Sequence, residues 1–421
     1  MKKELILENI RLGKLVHGGQ CIAESPEGKK LFVWGGLPGE LANVQITKKK
    51  SSFQEGIVTK IHQASPDRVE PEEPLSYLST SPWQIMSTTA EVQHKTSILR
   101  EAFEREHVEI ESWSDFEVAG RITGYRNKME LGFWGDDDGL HLAHYVRGTH
   151  AKQIVEGRIL ASDYINNAAL TIRDELRRLG VWSGKLKTLL IRSSQAGEVV
   201  VALFIKEELE LSDFRLPDSI QGVNVYYSDP ISPASVATKK LYSFGDINLT
   251  DTIGGKNITY DVLSFFQVNL PMFEHALEKI RHYTAEHESV DFYSGVGTIG
   301  LCVGSKILVE SDKNNIAKAK ENAEGTKTEV IAASSEAALD YITKDKSLIV
   351  DPPRAGLHKT VIDKINDIKP PRVVYLSCNP STQARDVKLL EEQYRVIFAQ
   401  GFNFFPRTPH IESLIVLELR S

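Results

Sequence analysis

Cysteine is scarce in this chain of 421 residues, and its three copies lie far apart, at Cys21, Cys302 and Cys378. Disulfide frameworks and C-x-x-C metal sites both need paired cysteines, so neither can be built here. Any cysteine chemistry must therefore come from a single thiol. The chain also lacks an apolar run of the ~18 residues that span a bilayer, and its first residues lack the apolar core of a signal peptide. We therefore expect a cytoplasmic protein with no membrane partner.

Basic residues are fewer than acidic ones, and the formal net charge is −7. This balance argues weakly against a nucleic-acid partner, but the location of charge matters more than its sum. The first 64 residues carry ten lysines and arginines against six acids, a net charge of +4. The N-terminal segment is thus the basic part of an acidic protein. Lys48, Lys49 and Lys50 lie beside a predicted strand, where they could meet phosphates.

Three regions with different patterns follow one another along the chain. A chain with 41% hydrophobic residues and this length can bury more than one core, because single cores stop growing at roughly 250 to 300 residues. Residues 1–65 carry short strands between Gly-Gly turns, which predicts a small closed β-barrel. Residues 66–250 read as a central α+β domain with helices near 88–106 and 161–179. The first of these helices is a candidate to pack on the last region.

Residues 251–421 alternate apolar strands with helices. This pattern predicts a doubly wound, Rossmann-like α/β domain with a parallel sheet. Ligands of such sheets bind beyond the carboxyl ends of the strands. The candidate motifs described next fall at such ends.

A glycine-rich loop, Gly295-Val-Gly297-Thr-Ile-Gly300, closes the first strand of this region. It fits the G-x-G-x-x-G pattern of a nicotinamide-binding site. Two details favour a methionine-derived cofactor instead. Asp291 lies inside the strand ahead of the loop, and Glu310 ends the next strand, where a carboxylate can accept hydrogen bonds from both hydroxyls of a ribose. The very short helix after Gly300 suits a ligand without a pyrophosphate, although a tight turn without any ligand has the same pattern.

Asp351-Pro-Pro-Arg354 follows an apolar strand. The two prolines stiffen the loop and can hold the Asp351 carboxylate towards the cleft. The segment resembles the D/N-P-P-Y loop that presents the amino group of a base for methylation. Arg354 stands in place of the aromatic residue, which favours a carbon as the methyl acceptor. By itself, a Pro-Pro pair after a strand is often only a turn.

Cys378, in Ser377-Cys-Asn-Pro380, ends another buried strand. A lone cysteine there is usually an inert small hydrophobe. However, a thiolate that adds to carbon 6 of uracil turns carbon 5 into a nucleophile, which can then attack a sulfonium methyl group. The carbon 5 proton must then leave, and Glu412 in His410-Ile-Glu412 can serve as the base. Glu412 precedes a predicted strand at 414–417. A glutamate in such a place can also be a solvent-exposed loop residue without a catalytic role. We assign no role to His410.

Phe265, Phe266 and Gln267 precede a helix. An enzyme that works on a ring carbon must take the base out of its stack, so the aromatic pair could stack on that base and the Gln267 amide could bind base or cofactor. Most Phe-Phe pairs belong to a core. A role of these residues in binding the base therefore needs support beyond the Phe-Phe-Gln sequence itself.

The segments F-F-Q-V-N, D-F-Y-S-G-V-G-T, D-P-P-R, S-C-N-P and H-I-E occur in this order, and the sequence resembles the RNA uridine-5-methyltransferase family. The resemblance covers nearly the whole chain. The basic N-terminal region is similar to the OB-like TRAM domain of many members, and Gly124–Lys128 is similar to a segment of their central domain. The family's fold implies a Rossmann-like domain that binds S-adenosylmethionine, with RNA as the partner.

The resemblance also implies roles for individual residues. Cys378 matches the nucleophile and Glu412 the base. The cofactor-binding residues correspond to Gln267, Tyr293, Gly295, Glu310 and Asp351, and Asp351 lies between cofactor and uracil. We further expect Phe265 and Arg354 to contact the substrate.

The sequence departs from the family pattern at two places. Many members hold an iron–sulfur cluster through four cysteines after the barrel, but residues 74–84 contain none, so we expect no cluster. The segment Ile331–Ser335 lacks the Asp or Asn that often approaches the adenine. We expect 23S ribosomal RNA in preference to transfer RNA because of the barrel, and we expect a monomer.

Two other function classes remain open from the sequence. An RNA-binding protein or RNA chaperone could keep the fold without turnover, and mass spectrometry of RNA incubated with protein and cofactor would distinguish it. A nicotinamide-dependent oxidoreductase would use the glycine loop but has no purpose for Cys378 or the basic barrel. Calorimetry with either cofactor separates that class from a methyltransferase.

Overall fold

The N-terminal sheet is five-stranded and curls into a half-barrel. The structure is a computed structural model that describes residues 5–118 and 120–420. The sheet order is β1-β4-β5-β3-β2. Its strands are β1 (Ile6–Arg11), β2 (Cys21–Glu24), β3 (Lys30–Trp34), β4 (Leu41–Lys49) and β5 (Phe53–Gln63).

The expected closed barrel is wrong in one respect, because the edge strands β1 and β2 do not pair with each other. The chain after β1 bends towards β2 instead. The Gly13 N–H donates to the Ile22 carbonyl at 2.8 Å, and the Ile22 N–H donates to the Lys14 carbonyl at 2.9 Å. These irregular contacts bridge part of the gap between β1 and β2 that a fifth ladder would close, and the sheet stays open.

The central region contains a seven-stranded sheet in the order β12-β11-β10-β9-β6-β7-β8. Two helices, α1 (Tyr77–Thr80) and α2 (Thr88–Arg105), precede it. All seven residues of β10 are buried, which explains its unbroken apolar sequence. The elements are β6 (Lys128–Asp136), β7 (Gly139–Tyr145), β8 (Lys152–Ile154), α3 (Asp163–Arg178), β9 (Leu186–Ser193), β10 (Val199–Ile205), β11 (Gly222–Tyr227) and β12 (Lys239–Gly245).

A hairpin of β13 (Asn248–Ile253) and β14 (Lys256–Asp261) leads into a second seven-stranded sheet. Its order is β17-β16-β15-β18-β19-β21-β20; the first five strands are parallel, and β21 runs antiparallel to both of its neighbours. The elements are α4 (Leu270–Thr284), β15 (Glu288–Phe292), α5 (Thr298–Val303), β16 (Ile307–Glu310), α6 (Lys313–Ala323), β17 (Glu329–Ala332), β18 (Lys346–Val350), α7 (Lys359–Ile368), β19 (Arg372–Ser377), α8 (Pro380–Leu390), β20 (Tyr394–Phe402) and β21 (Glu412–Leu419).

The parallel strands have helices between them, so their carboxyl ends meet at one edge of the sheet. The strands β18 and β19 are almost wholly buried, as expected of strands covered on both faces. Helix α2 packs against α8 and β20. Within the described ranges, no helix is long and apolar enough to cross a membrane.

The segment Asn403–His410, between β20 and β21, is held in place by residues of the half-barrel, of α2 and of the loop before β6. The buried Lys95 ammonium of α2 donates to the Asn403 side-chain oxygen at 2.7 Å and to the Phe405 carbonyl at 3.0 Å. The Tyr125 hydroxyl donates to the Pro406 carbonyl at 3.0 Å. A Cβ on Gly19 would lie 2.4 Å from the Cβ of Pro409, so only glycine allows the half-barrel to approach this closely.

Candidate active site

A cleft of about 760 Å³ opens at the carboxyl edge of the parallel strands. Each of these five strands supplies a residue to it, at its last position or shortly after. All nine residues predicted to serve catalysis, cofactor or substrate line this one cleft: Phe265, Gln267, Tyr293, Gly295, Glu310, Asp351, Arg354, Cys378 and Glu412.

The glycine loop and Glu310 form one wall of the cleft. The Glu310 carboxylate accepts hydrogen bonds from the N–H groups of Gly295 at 2.8 Å, Ser311 at 2.7 Å and Asp312 at 2.7 Å. A carboxylate offers about four acceptor positions, so Glu310 is held rigidly and keeps room for one further donor. Gly295 has a φ of 58°, a conformation that favours glycine.

Asp291, the acid inside β15, does not reach the cleft. It is fully buried, and its carboxylate accepts a hydrogen bond from the Gly300 N–H at 2.8 Å. Burial raises the pKa of Asp291 well above its usual value. Its contribution is to fasten helix α5 to the strand, which shapes the glycine loop.

Tyr293 lies at the turn after β15, with an unusual φ of 64°. Its hydroxyl accepts a hydrogen bond from the Ser335 hydroxyl at 2.8 Å. Ser334, Ser335 and Glu336 line the cleft here as well. The segment Ile331–Ser335 contains no Asp or Asn, but Glu336, one residue further on, reaches the same wall and was not predicted.

The two phenylalanines before α4 have different environments. Phe265 is 61% exposed and lies over Gly295, where a Cβ would be 3.6 Å from its Cδ1. Phe266 is buried and stacks on Tyr260, with ring centroids 3.8 Å apart. The interpretation that both rings could stack on a flipped base is therefore wrong for Phe266, which belongs to the core.

The D-P-P-R and S-C-N-P loops are joined to each other. The Asn379 side-chain amide donates to the Arg354 carbonyl at 2.8 Å, and the Thr382 hydroxyl donates to the same oxygen at 3.2 Å. Across the cleft, the Gln267 amide approaches the Asp351 carboxylate at 3.5 Å. Burial raises the pKa of Asp351 to about 7.

The half-buried Cys378 is the cysteine of the cleft, whereas the other two are buried elsewhere. Burial, followed by the carboxylates of Glu412 and Asp351, raises the pKa of its thiol to about 11, and Arg354 acts in the opposite direction. The group is therefore a thiol at neutral pH.

Glu412 is 5% exposed and is the first residue of β21. The predicted strand covered only 414–417, and the strand in fact begins two residues earlier. Burial and the nearby Asp351 raise the pKa of Glu412 well above its usual value. The carboxylate is thus held at the sheet rim in an apolar setting, which makes it a stronger base once ionised.

His410 and Arg126 also line the cleft. Burial and then Arg354 lower the pKa of His410 to about 4, so its imidazole is neutral at physiological pH. Arg126 comes from the central region, and its guanidinium carbon lies 5.9 Å from the Phe405 ring centroid. Arg126 was not predicted as a site residue because it lies in a loop about 250 residues before Cys378, although it falls within the Gly124–Lys128 segment that resembles the family.

The sequence of this chain is similar to those of known RNA methyltransferases. The family model for tRNA (uracil-5-)-methyltransferases matches residues 336–420. An uncharacterized RNA methyltransferase of Bacteroides thetaiotaomicron is 27% identical over 93% of this chain and 97% of its own length. Another from Thermotoga maritima is 26% identical over 98% of this chain and 99% of its own.

Among solved structures, the fold is similar to that of the Pyrococcus abyssi tRNA (uracil-54, C5)-methyltransferase in complex with S-adenosyl-L-homocysteine. The TM-score is 0.78 at 23% identity, and the match covers 96% of this chain and 99% of that chain. The likeness thus extends through the half-barrel and the central sheet. The family model at the catalytic edge and the relatives of matching length make this chain similar to the S-adenosylmethionine-dependent RNA uracil-5-methyltransferases.

Proposed function

We propose that this enzyme methylates carbon 5 of a uridine in 23S ribosomal RNA, with Cys378 as the nucleophile and Glu412 as the base. The observation that carries the proposal is the cleft itself. It brings one thiol, one buried carboxylate and the residues assigned to the cofactor to the same edge of the sheet. The presence of both nucleophile and base argues for turnover rather than RNA binding alone.

The wall opposite Cys378 fits S-adenosylmethionine. Glu310 keeps one acceptor position for a ribose hydroxyl, Gly295 allows close approach, and Tyr293 and Gln267 complete the surface. When bound, the cofactor supplies an electrophilic methyl group on its sulfonium. Asp351 lies between this wall and the thiol.

Catalysis by the chain's own residues has two stages. Cys378 adds to carbon 6 of the uracil, which makes carbon 5 nucleophilic. After methylation, Glu412 removes the carbon 5 proton, and the electron pair of that bond expels the Cys378 sulfur and restores the ring. Phe265 is positioned to stack on the flipped base, and Arg354 to balance negative charge on its ring.

The carboxyl groups of Asp351 and Glu412 act together in the two proton transfers. Two carboxyl groups in a poorly solvated site repel when both are ionised, so Asp351 and Glu412 tend to share one proton. The ionised member can receive the proton of the Cys378 thiol as the thiolate forms. The pair then holds two protons, so one of them must pass to solvent before the Glu412 carboxylate can receive the carbon 5 proton.

Substitution of the two catalytic groups tests these roles. Cys378→Ala should abolish methylation and any covalent protein–RNA species. Glu412→Gln should still allow addition and methylation but stall proton removal, so a methylated adduct should accumulate as a denaturation-resistant band. Both variants should bind S-adenosylmethionine like the wild type. Normal turnover by Glu412→Gln, or 5-methyluridine from Cys378→Ala, would show that the roles are wrong.

The choice of RNA rests on the basic half-barrel, with transfer RNA as the second candidate. The Pyrococcus abyssi protein of similar fold is named as a transfer RNA enzyme, which favours the alternative. Mapping of 5-methyluridine in both RNA classes from a deletion strain decides between them. Loss of the modification from transfer RNA alone would overturn the ribosomal assignment.

Within the chain, we assign RNA binding to residues 1–65 and 66–250 and the chemistry to residues 251–421. The half-barrel carries the basic excess, and Arg126 of the central region reaches the catalytic cleft. We propose that the enzyme acts as a monomer. Light scattering of the purified protein with and without RNA tests this assignment.

A further inference from the structure

A second cavity, of about 440 Å³, lies beside the catalytic cleft. The two cavities share Arg126 as a wall. The second cavity is bounded by the loop before β6, the start of α3, the β9–β10 turn and the start of α4. It therefore lies where the central sheet meets the catalytic domain, next to the place where the target uridine must enter.

A buried acceptor in this cavity has an unmet hydrogen bond. Asn127 is 8% exposed, its backbone N–H donates to the Val268 carbonyl at 3.1 Å, and its side-chain NH₂ donates to the Gln267 carbonyl at 2.9 Å. These bonds fix the amide orientation. The remaining side-chain oxygen has no partner among the described residues. A buried polar atom without a partner costs about 1–3 kcal/mol, so a ligand that brings a donor explains it.

An unmet donor lies on the neighbouring residue. The Arg126 Nε is buried and also has no partner within the described part of the chain. The guanidinium is flanked by the rings of Tyr125 and Phe405, each with its centroid 5.9 Å away. Both residues line the cavity, and the edge of a nucleobase carries the acceptor and the donor that these two atoms lack.

The charge of this cavity differs from that of two other cavities on the surface. Of the described residues that line it, two are arginines, Arg121 and Arg126, and none is acidic. One other cavity is lined by Glu274 and Glu278, and another by Asp136 and Asp138. In a chain with a net charge of −7, this acid-free wall suits a polyanion.

Tyr164 gives the cavity an exposed aromatic rim. The side chain is 51% exposed, and its ring lies on Gly197, where a Cβ would come within 2.7 Å of Cε1. The turn therefore supports the ring and leaves much of it open. Exposed rings beside basic grooves serve as stacking platforms for unpaired bases.

We propose that this cavity is a subsite for the base of a nucleotide adjacent to the target uridine. The inference rests on the proposed function, because it assumes that an RNA strand enters the catalytic cleft. Flipping the target base removes the stacking partner of its neighbour. Tyr164 and the Asn127–Arg126 pair would replace the lost stacking and base-edge hydrogen bonds, so the strand is held on both sides of Arg126.

The test measures affinity rather than methylation, so that the two proposals can fail separately. The probe is a fluorescein-labelled octauridylate, titrated with the full chain in the presence of S-adenosylhomocysteine. Tyr164→Ala should weaken binding about 5- to 150-fold, as expected for loss of one base–aromatic stack. Trp182→Ala, which removes a 69% exposed ring at another cavity, should bind like the wild type.

Affinity of Tyr164→Ala indistinguishable from the wild type would overturn the subsite, as would an equal loss in Trp182→Ala. Should Tyr164→Ala fail to fold, Gln195→Trp replaces an exposed rim residue and fills the cavity. It should weaken binding likewise, and unchanged affinity would again refute the proposal. Methylation of RNA from the deletion strain by the wild type is the separate test of the proposed function.

Discussion

Removal of the Lys95 ammonium should destabilise the protein and slow catalysis together. Lys95 and Glu91 are both fully buried on α2, with their charged atoms 2.9 Å apart. Glu91 also accepts from the Asn403 amide at 3.1 Å and from the Arg407 N–H at 3.0 Å. The pair thus ties α2 to the segment that leads to Glu412.

The magnitude follows from what Lys95→Met leaves behind. Breaking a buried ion pair by removal of one partner destabilises a protein by about 3–5 kcal/mol, since the other charge remains buried. Two hydrogen bonds of Lys95, to Asn403 and to the Phe405 carbonyl, disappear with it. Glu91 keeps its bonds to Asn403 and Arg407, which limits the effect, so we expect a loss near the lower end, about 3 kcal/mol.

Urea unfolding followed by tryptophan fluorescence measures this loss, because the Trp83 ring lies 5.7 Å from the Lys95 ammonium. The control is Lys14→Met, which breaks a half-exposed pair with Glu101 and should cost less than about 1 kcal/mol. The double variant Glu91→Gln, Lys95→Met should recover part of the stability, since no charge stays buried. Equal and small losses in Lys95→Met and Lys14→Met would refute the reasoning.

Three further predictions concern pH, salt and iron. Burial raises the pKa of Asp351 to about 7 and that of Cys378 to about 11. The Cys378 thiol must lose its proton to an ionised carboxylate of the Asp351–Glu412 pair, so single-turnover methylation should accelerate as pH rises through neutrality. A rate maximum on the acidic side would contradict this. Replacement of Lys49 and Lys50 should flatten the salt dependence of RNA binding, by up to about 0.9 in slope for each phosphate that is no longer neutralised. Lys48→Ala should change the salt dependence less, because the Lys48 ammonium already lies 2.6 Å from a carboxylate oxygen of Glu55. An unchanged salt dependence in the Lys49 and Lys50 variants would show that these lysines contact solvent and not phosphates. Iron chelation should leave activity intact, because three cysteines cannot provide the four ligands of a cluster; a brown preparation that loses activity on chelation would show otherwise.

The local sequence pattern was sufficient to predict much of the C-terminal sheet. The buried strand that was predicted to end at Cys378 is β19, which ends at Ser377, and the helix predicted at 88–106 matches α2 within one residue. Buried parallel strands and amphipathic helices both carry strong sequence signals. The four-residue strand β2 was not predicted. Its backbone is shaped by pairing with β3, and so short a segment has too little periodicity of its own.

The site was predictable where one short segment carries the chemistry. Cys378 and Glu412 each lie in a recognisable motif, and the structure brings them into one cleft. Arg126 and Phe266 show the limit of such inference. Whether a side chain enters a cleft or a core depends on which distant elements pack over it, and Tyr260 and Phe405, which decide these two cases, carry no such signal locally.

The fastening of Asn403–His410 by Gly19, Lys95 and Tyr125 has a consequence for synthesis. The ribosome makes Tyr125 and Lys95 281 and 308 residues before their partners in this segment, and it makes Gly19 earlier still. The half-barrel, α2 and the central sheet therefore leave the exit tunnel before the segment that they hold. The basic N-terminal region is thus outside the ribosome before the segment that carries Glu412 has been made.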